Sequence, residues 1–276
     1  MQSNNPVFAR NDSFNGRSGT QSYASPGTGY SDPSTWSTGT PGQGAQSGYD
    51  DRRITIDSVV QKSAMTMGLL VIAAAATWIY LGPIDEQNIN LVSGLAVAGA
   101  GIGFVLSLVN SFKRIISPAL VLAYAVAEGV FIGAFSSLLE QQYNGIVMSA
   151  VAGTVAAFAG TLATYKILDI KVGDKFRRGV VAAMFGMVGV VLLDLLLGAF
   201  DVGFLNLNEG LPGLAFGALG VVLAVLMLIL DFDFIERAIA AGAPERESWR
   251  AAFGLTVTLI WLYVSLLRIL AILRGD

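Results

Sequence analysis

The segment LPGLAFGALGVVLAVLMLIL (Leu211–Leu230) runs directly into DFDFIER (Asp231–Arg237). Twenty residues pass without a charge, and then two aspartates arrive two positions apart. A bilayer core about 30 Å thick needs roughly 20 apolar residues per helix, so the segment reads as a membrane span with an acidic end. Carboxylates at the edge of hydrocarbon are costly to place, which makes this end the first candidate for chemistry.

Six further stretches have similar length and character: Ser63–Gly82, Leu91–Val109, Ile116–Leu139, Ile146–Ile167, Gly179–Phe200 and Arg250–Leu273. With 54% hydrophobic and 13% charged residues, the 276-residue chain is too apolar for an ordinary soluble domain. The fold class that follows is an all-α integral membrane protein with seven transmembrane helices. Residues 63–276 form that domain. Met1 to Asp51 is rich in Gly, Ser, Thr, Asn and Gln without apolar periodicity, and is expected to be a disordered low-complexity tail. It has no apolar stretch near its start, so targeting is expected to fall to the first span. Arg52 to Lys62 alternates apolar and polar residues between cations and is expected to be an amphipathic lead-in at the membrane surface.

Cations set the orientation. All except Arg268 and Arg274 lie in the tail and lead-in or at the second, fourth and sixth connections. The first, third and fifth connections carry acids such as Asp85, Glu140 and Asp201 and no cation. The N-terminus is therefore expected on the cytoplasmic side. Arg268 and Arg274 are discordant, so the last segment either crosses, which is the favoured reading, or re-enters.

The same composition excludes several functions. A net charge of −3 gives no basic footprint for nucleic acid. The absence of Cys and His removes thiolate and imidazole nucleophiles, bases and metal ligands. A serine hydrolase would lack its base, and the acids of an aspartyl type, Asp194 and Asp231, fall toward opposite ends of the membrane. The protein is read as non-enzymatic and without a cofactor. Titration near neutral pH is left to buried carboxylates.

Few ionisable residues fall inside spans. Glu128 lies roughly 18 Å into the third, near mid-membrane. Asp194 and Arg268 lie at matching depths of roughly 24 and 27 Å, which pairs them as a structural ion pair closing the outer half of the bundle. The alternative has Arg268 snorkelling to headgroups and Asp194 held by backbone or water. On a helix, Asp231 and Asp233 point about 200° apart. Asp231 is taken as the inward one. Asp233, with Arg237 one turn later, is taken as a solvated interfacial partner. Small-residue pairs at four-residue spacing, Gly99/Gly103, Gly129/Gly133 and Gly213/Gly217, predict close helix approaches.

In this order, with Glu128–Gly129 in the third span, LDFDFIE ending the sixth and LLRIL (Leu266–Leu270) in the seventh, the chain resembles the Bax inhibitor family. The NPVF run and the long tail resemble a bacterial branch of it. The resemblance, over roughly residues 53–273, implies six helices around a central seventh, a location in the bacterial inner membrane and a pH-sensitive calcium leak. In that family two aspartates latch the pore by sharing a proton. Asp231 matches the first, whereas the position of the second is Thr258, which cannot share a titratable proton as a carboxylate does. The resemblance therefore implies a gating group of Asp231 with Glu128 or Thr258 as partner, or else a conductance not gated this way. Asp231 and Glu128 together are expected to make a weak, transient calcium site. The competing reading is a non-conducting regulator that binds other membrane proteins, such as a quality-control protease, besides the lipid bilayer.

Overall fold

The computed structural model describes residues 52–198 and 210–275. Asp201 and the tail, Met1–Asp51, lie outside the described residues, as does the end of the expected fifth span at Phe200. Seven helices follow in order: α1 (Ile56–Leu81), α2 (Ile89–Phe112), α3 (Pro118–Gln142), α4 (Ile146–Ile167), α5 (Asp174–Gly198), α6 (Gly210–Ala240) and α7 (Glu247–Gly275). Each is long and apolar enough to cross a membrane.

Local chemistry sets the ends. Thr55 caps α1 by accepting from the Ser58 amide at 3.1 Å, while the Ser58 hydroxyl accepts from the Thr55 amide at 3.0 Å. Pro118 opens α3, where its missing N–H costs nothing. Between α3 and α4, Glu140 accepts from the amides of Gly145 and Val147, satisfying the first donors of α4. Gly145 (φ 79°) and Gly242 (φ 61°) take the left-handed turns before α4 and after α6.

Glycines set how closely the helices pack. A Cβ on Gly129 would stand 2.6 Å from the Leu70 carbonyl of α1, and one on Gly99 would stand 2.7 Å from the Phe131 amide of α3. These contacts bring α1 and α2 onto α3 at backbone distance, as the four-residue spacing predicts.

The helix α7 packs against α1, α3, α4 and α6, while α2 packs mainly on α3 and α5 on α6. No residue of α7 from Glu247 to Ile272 is exposed. It starts beside α1, where Ser58 and Ser248 share a 2.7 Å hydrogen bond, and ends beside the α3–α4 turn, where Arg274 donates to the Asn144 carbonyl at 2.6 Å. It runs the length of the bundle as one unbroken helix, with no break at which the chain turns back.

The sixth helix runs past the end of its apolar span, as the one-turn spacing of Asp233 and Arg237 requires. It continues ten residues beyond Leu230, to Ala240, so DFDFIER is helical throughout. The residues ahead of α1 run along the α6–α7 connection. Ile54 donates its amide to Ala243 and Glu245 donates its amide to Arg52, both at 2.9 Å. Arg52 and Lys62 both pair with the Glu245 carboxylate, at 3.0 and 2.7 Å. Ile56–Lys62 of the lead-in form the first turns of α1.

Candidate functional site

Because α6 stays helical through DFDFIER, its two aspartates face different neighbours. Asp231 faces α7. Its Oδ2 accepts from the Thr258 hydroxyl at 2.6 Å. Gly254, one turn earlier on α7, leaves room for the other oxygen: a Cβ there would lie 3.2 Å from Oδ1. Thr258 is buried, so its hydroxyl gains this acceptor in place of water.

Asp233 faces α5. Its two oxygens accept from Arg177 at 2.8 Å and from Arg237 at 2.9 Å. The pairing with Arg237 matches the helical spacing. The solvated position expected for Asp233 is corrected, since only 5% of the residue is exposed. The reason is the α4–α5 connection, which lies over this end of α6 and supplies both Arg177, in the first turn of α5, and the Val172 carbonyl that Arg237 also bonds. Nearby, the Tyr165 hydroxyl of α4 donates to Glu236 at 2.7 Å. Nothing local in the sequence signals Arg177, which joins a partner 56 positions away.

Glu128 is held elsewhere. It lies against Gly103 of α2, where any side chain would collide with its carboxyl group, and pairs with Tyr124 one turn earlier on its own helix. Glu128 and Asp231 therefore have different partners and face different helices. Among the described residues, no group of three or more acids, His or Cys gathers to hold a metal ion.

Arg268 lies over the ring of Phe216, 5.6 Å from Cζ to centroid, and Asp194 acts on it electrostatically. Among the described residues the two make no direct salt bridge. A further polar pair joins α3 to α7: Ser136 and Tyr263 share a buried 2.7 Å hydrogen bond.

The arrangement offers one carboxylate that bonds directly to the helix with no exposed residue up to Ile272, and a second, Asp233, neutralised by two guanidinium groups. Only the first can exchange its partner without leaving an arginine unpaired. No curated protein matches the chain. The sequence model described as Bax inhibitor 1 like matches residues 5–275, and the chain belongs to that family.

Proposed function

We propose that this protein is a pH-sensitive cation leak, with calcium as the carried ion and the Asp231–Thr258 contact as its latch. The supporting observation is the 2.6 Å hydrogen bond from α7 to the α6 carboxylate, at the position where the family resemblance implies an aspartate pair. In this reading the other six helices form a sheath around α7, and the N-terminus faces the cytoplasm of a bacterial cell. Breaking the contact frees α6 to shift against α7 and opens a path between them. Asp231 then supplies carboxylate oxygens to that path, and Glu128 joins it as a second, weak ligand only once α3 turns it away from Gly103; together they are enough to attract calcium but too few to retain it, since the ion takes about six to eight oxygen ligands. Asp194 and Arg268 interact across the opposite half of the bundle and stabilise it.

Calcium flux into proteoliposomes reported by an entrapped dye tests this. Flux should depend on pH and change with Asp231→Asn. Thr258→Asp should steepen the pH dependence, because a second carboxyl then takes part in the same step. Absence of pH-dependent flux, or flux indifferent to Asp231→Asn, refutes the leak and favours a non-conducting regulator of other membrane proteins.

A further inference from the structure

Between α1 and α4 a groove of about 680 Å³ opens on the flank of the bundle, with α3 and α7 as its floor. Its size lies within the roughly 300–1,000 Å³ of small-molecule sites. The walls are hydrocarbon. Three hydroxyls line it, and all are already engaged: Ser136 with Tyr263 at 2.7 Å, and Thr154 with its own helix carbonyl at Ala150 at 2.8 Å. Apart from the indole N–H of Trp78, an ion or a peptide backbone would find no free partner there, so the occupant must be largely apolar.

The rim identifies where that occupant comes from. Ile79 of α1 is 78% exposed and Met148 of α4 is 73% exposed, and both continue the lipid-facing surface of their membrane-spanning helices. The groove occupies Met67–Ile79 of α1 and Val147–Phe158 of α4, the halves of these helices next to the α1–α2 and α3–α4 connections. We infer that it holds one acyl chain of a phospholipid from the leaflet on that side, seated against α7.

The groove adjoins neighbours of the two latch residues, and this step rests on the gating reading above. Phe158 lines the groove and meets Phe232 edge-on at 5.8 Å between centroids, and Phe232 adjoins Asp231. Leu259, also lining the groove, follows Thr258 on α7. A seated chain braces both sides of the Asp231–Thr258 contact from behind.

The test uses the full chain in detergent micelles with a phosphatidylcholine that carries a photoreactive diazirine in one acyl chain, and maps the labelled peptides by mass spectrometry. Labelling should saturate near one lipid per chain and concentrate in residues 67–79 and 147–158. The double variant Val151→Phe/Val155→Phe, which fills the groove from its open side, should lower labelling about tenfold, as steric misfit in an apolar pocket does. Label spread evenly over the exposed faces of α2 and α5 overturns the site, and this arm needs only the wild-type chain. Undiminished labelling of the filled variant overturns it as well. Neither readout involves ion flux, so failure of the leak reading leaves the result standing. A variant that loses the lipid but conducts with the wild-type pH profile overturns the bracing of the latch.

Discussion

Replacing Thr258 with valine removes one hydrogen-bond donor and almost nothing else. The two side chains have nearly the same shape, and the site is buried, so no cavity opens and no new group meets solvent. What is lost is the 2.6 Å bond to Asp231 Oδ2, leaving a carboxyl oxygen between α6 and α7 without its donor. A buried polar group deprived of its partner costs about 1–3 kcal/mol. On an unfolding equilibrium in mixed micelles this is roughly a 5- to 150-fold shift. Thr258→Ser keeps the hydroxyl and should retain most of the stability, which separates the bond from the methyl group. The decisive form is a double-mutant cycle with Asp231→Ala. If the contact is energetically real, Thr258→Val should cost little once Asp231 is gone, giving a coupling of about 1–3 kcal/mol. Additive costs would refute the contact, and with it the physical basis assigned to the latch.

Two further outcomes follow from the packing. Asp233→Asn leaves Arg177 and Arg237 without their counter-charge; both arginines are partly exposed, so the loss should be about 1–3 kcal/mol rather than that of a fully buried pair, and raising the salt should shrink it. Gly129→Ala pushes a methyl into the Leu70 carbonyl and should destabilise by about 1–3 kcal/mol in the same micelle assay, whereas Gly101→Ala, with open space at its Cβ, should be neutral or stabilise by up to about 1 kcal/mol.

The helices were legible because hydrocarbon length and charge-free runs are set by the bilayer, and the opposed directions of Asp231 and Asp233 were legible because they follow from the turn angle of one helix. The burial of Asp233 was not. DFDFIER reads as a polar helix end at the interface, yet Asp233 is buried and its carboxylate is held by Arg177 as well as by Arg237. Such compensation comes from a residue brought in by another connection, and no local pattern encodes it. The partner of Asp231 was open for a similar reason. Glu128 and Thr258 were both candidates, and which one meets Asp231 depends on helix rotation. The close contact of Gly103 with Glu128 turns that acid toward α2 and leaves Thr258 to α6. Matching depths pair Arg268 with Asp194, yet among the described residues no direct salt bridge joins them, and Arg268 lies on Phe216, an aromatic residue whose facing the spacing does not reveal.

The segment before α1 is tied to the connection that joins the two helices of the candidate site. Arg52, Ile54 and Lys62 fasten the chain to Glu245 and Ala243 of the α6–α7 connection, and Arg53 donates to the Gly242 carbonyl at 2.7 Å. Residues 52–54 are therefore a strap on that connection: the helices that hold Asp231 and Thr258 are joined by a turn whose carbonyls at Gly242 and Ala243 take their donors from outside the turn.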